Sequence, residues 1–355
     1  MDGKKQRSSN IELLRILAMG MIIGHHFAVH SNLAFPGGVS AGRIFVYWLD
    51  LGGKVGVDIF VLISGYFLIK SREFRVGKLL KLWGQVAFYS LGLKLLGGLL
   101  GFGHPELVGI LQALLPVSFT QWWFATTYFV LFLLSPYINV GLNALTKAQY
   151  RRLLAVMAVI WCLYPTLLRQ NVEGGNLIWF VFLYALAGYL RLFSQDFRWK
   201  AGTLFAASGL LLGADLAWAA LCAFLDGVRP GVGELATGFF GMDQLPVVAA
   251  AVCLLLGFRK LEVPYSPWIN RLGGACFGVY LIHDSPVIRY WLWNELLPGQ
   301  DWVASPWLIP GALAVIAGVF LICAGVDLLR MATAEKLWMK LVDRVEETGL
   351  VKRMK

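Results

Sequence analysis

Arg15 and His26 stand eleven residues apart in a run that is otherwise nearly all apolar. Eleven residues make three helical turns, so on a helix the two side chains share a face, separated along the axis by roughly 16 Å. A guanidinium at one depth and an imidazole at another suit a long donor whose anionic end rests on Arg15 and whose reactive end reaches His26. The alternative is a snorkelling arginine and a hydrogen-bonded interfacial histidine. His25 falls on a different face and is the weaker candidate. His26 and His30 are spaced i, i+4 and could share a metal, but the sequence offers no third ligand, so no metal is expected.

Further polar residues interrupt apolar runs. Lys54 and Asp58 are also i, i+4 apart. Asp58 therefore expects Lys54 as its partner, or His26, whose tautomer a carboxylate would fix. The alternative is a purely structural ion pair. His283, in Tyr280-Leu281-Ile282-His283-Asp284, lies near the end of another apolar run. Arg72, Arg75, Lys78 and Lys81 cluster in one connection and either set the topology or bind an anion, and both can hold together. Trp122-Trp123-Phe124 fits an interfacial aromatic belt, with stacking on a sugar ring as the second reading. Ionisable groups inside a membrane helix are costly, which makes each a functional candidate.

The elements that must position these residues are transmembrane helices. Of the 355 residues, 58% are hydrophobic and 15% charged, and mean hydropathy is +0.67. Soluble chains carry about 25% charge, scattered through the sequence. Here the charges sit in short clusters between runs long enough to cross a bilayer at ~20 residues each. The expected fold is an all-α polytopic bundle of about ten helices, near 11–29, 45–69, 79–101, 122–142, 152–169, 176–192, 201–225, 235–257, 269–293 and 305–330. The second can bend at Gly52-Gly53. Residues 104–121 read as a short re-entrant or interfacial segment. The N-terminal run lacks a cleavage-site pattern and reads as a retained helix.

Sidedness follows from the basic residues. Of 31 Lys and Arg, only Arg43, Arg169, Arg229 and Arg289 fall in one alternate set of loops, and Arg15, Lys54 and Lys94 fall within spans. All others collect on the side of the two termini, which is therefore cytoplasmic. This bias accounts for the net charge of +10 and removes the reason to expect nucleic acid. The five cysteines lie in apolar runs, so no disulfide framework is expected. The domain organisation is one membrane domain over 1–330 and a cytoplasmic tail over 331–355. In that tail Leu337, Leu341, Val342 and Val345 recur at helical spacing, as in an amphipathic surface helix.

Several of these residues also lie in motifs of a known family. Asn10 to Ala18, with Arg15, leading to His26 resembles the arginine–ten residues–histidine signature of the acyltransferase-3 family of integral membrane acyltransferases. The run Gly56-Val57-Asp58-Ile59-Phe60-Val61-Leu62-Ile63-Ser64-Gly65-Tyr66-Phe67 resembles that family's second motif almost residue for residue. Lys78-Leu79-Leu80-Lys81-Leu82 is similar to its basic segment, with lysines for arginines, which keeps the charge and loses the bidentate fork. Trp123-Phe124 with Leu133 to Pro136, and Gly278 to His283, are similar to later blocks.

The resemblance implies transfer of an acyl group, usually acetyl, from cytoplasmic acyl-coenzyme A to a carbohydrate hydroxyl. On that reading acyl-CoA is a substrate and no cofactor is permanently bound. His26, Asp58 and His283 are the expected catalytic set. Arg15, Arg72, Arg75, Lys78 and Lys81 would hold the donor, and Trp123 and Tyr280 would meet the acceptor. The expected partners are acyl-CoA, a carbohydrate and membrane lipid, and the expected location is the cell membrane. Two other classes compete: a transporter or flippase for a polymer or lipid-linked sugar, and a non-catalytic membrane module that binds a partner.

Overall fold

Ten helical segments occupy the places of the ten expected spans. The computed structural model describes residues 8–36, 38–71, 73–74, 76–101, 106–170, 175–194 and 198–347, the side chain of Val345 excepted. Among the described residues there is no strand. The helices are α1 (Ser9–His30), α2 (Ala41–Leu68), α3 (Val76–Leu99), α4 (Leu107–Leu114), α5 (Trp123–Ala144), α6 (Lys147–Ala158), α7 (Tyr164–Leu168), α8 (Gly175–Phe193), α9 (Ala201–Asp226), α10 (Leu245–Arg259), α11 (Pro267–His283), α12 (Leu308–Ala332) and α13 (Ala334–Glu347). A π turn over Val159–Leu163 joins α6 to α7 into one rod, Lys147–Leu168. It falls just before Pro165, which has no N–H to give to the preceding turn. Seven described helices, including that rod, are long and apolar enough to cross a membrane.

Local chemistry sets the helix starts. Ser40 Oγ accepts from Arg43 N, and Ser266 Oγ from Ile269 N ahead of Pro267. Thr146 and Gln149 form a reciprocal capping box. Two expected boundaries move, and one expected bend is absent. The stretch 235–244 forms turns, and α10 begins only at Leu245-Pro246, since proline suits a first helical turn and not an interior. The ninth span stops at His283 because Ser285-Pro286 follows, and a separate π turn covers Trp291–Leu296. Helix α2 runs unbroken through Gly52-Gly53, where the missing side chains make room for α1: a Cβ on Gly53 would overlap the His25 ring.

Helix α1 is central, packed on α2, α10, α11 and α12, while α2 also carries α8 and α10. Its start is tied to the end of α10, where Asn10 Nδ2 donates to the carbonyls of Phe258 (3.0 Å) and Leu261 (3.1 Å). Two glycines of the second motif set helix spacing. A Cβ on Gly56 would stand 2.7 Å from the Ala18 carbonyl, and one on Gly65 would stand 2.5 Å from the Tyr184 carbonyl. The end of α2 is held by α5: Asn139 Nδ2 donates to Leu68 O and Ser71 O, and Asn143 Nδ2 to Ile69 O.

The tail helix lies along α3. Trp338 Nε1 donates to Leu80 O at 3.0 Å, and its ring fills the space left by Gly84. Of the expected apolar stripe, Val342 is buried, whereas Leu337 and Leu341 are exposed.

Candidate functional site

Helix α1 and the end of α11 bring two histidines into direct contact. His26 Nδ1 lies 2.9 Å from His283 Nε2. His283 Nδ1 lies 2.6 Å from the Val279 carbonyl, one turn earlier in α11. A carbonyl only accepts, so His283 Nδ1 carries a proton and, in the neutral ring, its Nε2 is a lone pair. His26 Nδ1–H must then be the donor of the pair, which leaves His26 Nε2 as a free lone pair. His283 is fully buried and Trp293 packs edge-on against it at 6.4 Å, which holds its ring in this orientation.

His26 Nε2 faces a polar cluster. Asp284 Oδ1 is 3.8 Å away and is also 3.9 Å from His30 Nε2. These three potential ligand atoms lie within 4.8 Å of one another, so Asp284 supplies the third ligand that the sequence did not reveal. Arg289 already holds that carboxylate, with Nε 2.8 Å from Oδ1 and Nη2 donating to the Asp284 carbonyl at 3.1 Å. A dication at Asp284 would sit against a guanidinium, which opposes metal binding. His25 is turned away and pairs with Asp50 at 2.9 Å.

Asp58 takes neither of its expected partners. It is fully buried, and its hydrogen bond comes from Trp179 Nε1 at 3.3 Å rather than from Lys54 or His26. The i, i+4 spacing permits the Lys54 pair but does not require it. Lys54 instead lines a separate cavity together with Asp243, Trp161 and Trp179. The group that orients His26 is thus His283.

At the other end of α1, Arg15 and Lys81 line one cavity of about 240 Å³. Arg330 of α12 joins them, a residue that the sequence marks only as a topogenic charge. Each cation has a carboxylate: Arg15 with Glu12 at 3.0 Å, Lys81 with Glu335 at 2.5 Å, and Arg330 with Asp327 at 2.7 Å and Glu335 at 2.9 Å. Burial by itself would raise the Glu335 pKa, but Lys81 and Arg330 together hold it below the ordinary carboxylate range. Lys78 lies one turn away on α3 and does not line this cavity. Arg72 and Arg75 lie outside the described residues.

The cavity extends from these cations to Phe124, Tyr128 and Phe277. Tyr280 is buried just beyond, its ring 5.7 Å from Phe124, 6.3 Å from Phe277 and 6.4 Å from His283. It therefore stands between the basic cavity and the histidine pair. Trp123 packs against Phe124 and Phe180, whereas its neighbour Trp122 lines a third cavity beyond the histidines.

A helical bundle with seven membrane-length apolar helices among the described residues, enclosing a histidine pair between a basic cavity and a polar one, is a multi-pass membrane protein with a buried polar centre. A family model described as an acyltransferase domain matches residues 8–328. The chain belongs to the acyltransferase-3 family and is a membrane acyltransferase. No curated protein and no solved structure matches it.

Proposed function

We propose that the protein transfers an acyl group, acetyl in the first instance, from cytoplasmic acyl-coenzyme A to a hydroxyl of a cell-surface polysaccharide or lipid-linked sugar in the cell membrane. The observation that carries this reading is the relay from the Val279 carbonyl through His283 to His26, which leaves an oriented lone pair on His26 Nε2. The donor's phosphates rest against Arg15, Lys81 and Arg330, displacing Glu335 from Lys81. The pantetheine arm rises along α1, whose length from Arg15 to His26 is roughly 16 Å. The acceptor hydroxyl approaches from the opposite end, where His26 Nε2 removes its proton as the oxygen attacks the thioester carbonyl. The C–O bond forms, the C–S bond breaks, and the proton on His26 passes to the departing thiolate. Coenzyme A leaves as the thiol, and His26 is neutral again.

His26→Ala tests this reading with labelled acetyl-CoA and surface glycan as acceptor. The expected loss of transfer is at least ~10²-fold, the usual range for removing a general base, with membrane insertion unchanged. Acylation at near wild-type rate by this variant would falsify the assignment.

A further inference from the structure

Beyond the histidine pair lies a cavity of about 280 Å³ between α3, α4 and the turn that follows Asp284. Ser285, Pro286 and Val287 form part of its wall. It thus adjoins the carboxylate that sits 3.8 Å from His26 Nε2. Its remaining polar lining is Ser90, Lys94, Gln112, Gln121 and Trp122, and among the described residues no carboxylate lines it.

Two of these groups lack partners. Among the described residues Lys94 makes no ion pair or hydrogen bond, although it lies within a helix, where a charge is costly unless it is used. It does not snorkel away from the cavity, because α4 covers it: a Cβ on Gly109 would stand 3.1 Å from Lys94 Cε and 3.3 Å from Nζ. The glycine leaves the room that the ammonium group occupies. Trp122 is 2% exposed and its indole Nε1 has no hydrogen-bond partner among the described residues. A buried N–H left unpaired is expensive, and a ligand acceptor atom relieves the cost. The two glutamine amides offer both donors and acceptors, as a polyhydroxylated ligand requires.

We propose that this cavity docks the acceptor as a sugar bearing an anionic group, carboxylate or phosphate, with Lys94 as its counter-ion and Trp122, Gln112 and Gln121 as its hydrogen-bonding wall. This rests on the acyltransferase reading above and adds the charge of the acceptor to it. The sugar's free hydroxyl points past Ser285 to His26 Nε2, which receives the proton as the acyl carbon moves from sulfur to oxygen.

The test uses the full-length protein in lipid nanodiscs with acetyl-CoA and three acceptor probes: methyl glucoside, methyl glucuronide and glucose 1-phosphate. The wild type should favour an anionic probe over methyl glucoside by about 10-fold or more in kcat/KM, the scale of one charge-assisted hydrogen bond. The relative rates on glucuronide and phosphate identify which anion is native. Lys94→Met should bring the ratio close to one, and Lys94→Arg should restore most of it. Equal wild-type use of charged and neutral probes overturns the proposal, as does a preference that survives in Lys94→Met. If Lys94→Met fails to fold, the wild-type ratio and the Lys94→Arg variant decide alone. Acetyl-CoA hydrolysis without transfer to any probe overturns this inference only, whereas loss of hydrolysis as well strikes the acyltransferase reading beneath it.

Discussion

At the scale of single residues, the chemistry proposed for His26 depends on which of its nitrogens holds the proton. That choice is made 2.9 Å away by His283, and for His283 by the Val279 carbonyl. The arrangement has a clear consequence. His283→Leu removes the acceptor for His26 Nδ1–H, so the ring loses its reason to keep Nε2 unprotonated, and a wrong tautomer disables a general base. Activity should fall by about 10²-fold. His283→Gln keeps an acceptor oxygen near the position of Nε2 and should recover much of the loss. Comparing the pH–rate profiles of the two variants provides the check. Equal defects in both would mean that His283 acts by packing alone. The sequence shows His26 and His283 as candidates because each is a rare polar residue in an apolar run. It does not show their contact, which joins positions 257 residues apart. It also offers Asp58 to Lys54 or to His26 and misses Trp179, since spacing reports which faces of one helix coincide and not which helix lies opposite.

At the scale of elements, charge clustering and apolar run length place ten helices, because the bilayer imposes a length on every span. Boundaries were less legible wherever proline decides them, at Pro246 and Pro286. The role of the glycines was hidden as well. Gly65 is no hinge, since its missing side chain lets α2 touch the backbone of α8. Gly65→Ala should destabilise the fold by about 1–3 kcal/mol, the usual cost of overpacking. Gly20→Ala, with nothing within 4 Å of the new methyl, should be neutral or slightly stabilising. Thermal unfolding of both in one detergent makes the comparison, and equal melting temperatures would remove the packing argument. The docking of α13 was equally unreadable, because Glu335 and Lys81 are far apart in sequence. The pH dependence of that docking follows from its charges. Glu335 has a folded pKa below its unfolded value, so its contribution is complete above about pH 4.3 and is lost as pH falls through the folded pKa. Proteolysis within Ala334–Glu347 should be slow at neutral pH and accelerate under more acidic conditions. Glu335→Gln should show the loosened behaviour already at pH 7. A tail equally resistant in both proteins would place its anchorage in Trp338, Val342 and Glu346 rather than in Glu335.

At the scale of the molecule, two cavities approach the histidine pair from opposite ends, and among the described residues they share no lining side chain. The basic one reaches Phe124, Tyr128 and Phe277, and Tyr280 stands beside the way from there to His283. The polar one ends at Ser285, beside Asp284. A transferase with a thioester on one side and a hydroxyl on the other needs such a partition, because water reaching the thioester beside His26 would be activated as readily as a sugar hydroxyl. Tyr280 is then a barrier first and an acceptor contact second. Its large buried ring packs against the aromatic wall of the basic cavity and the edge of the histidine pair at once. Tyr280→Ala would widen the passage between the cavities, so that water could follow the donor arm, while leaving Arg15, Lys81 and the His26–His283 bond in place. The expected result is a several-fold rise in acyl-CoA hydrolysis relative to transfer, measured as free coenzyme A against acylated acceptor. Tyr280→Phe keeps the ring and should leave that ratio unchanged, which separates the barrier from any service of the hydroxyl. If alanine lowers hydrolysis and transfer in equal proportion, the ring holds the site together rather than dividing it, and the two cavities do not act as separate approaches.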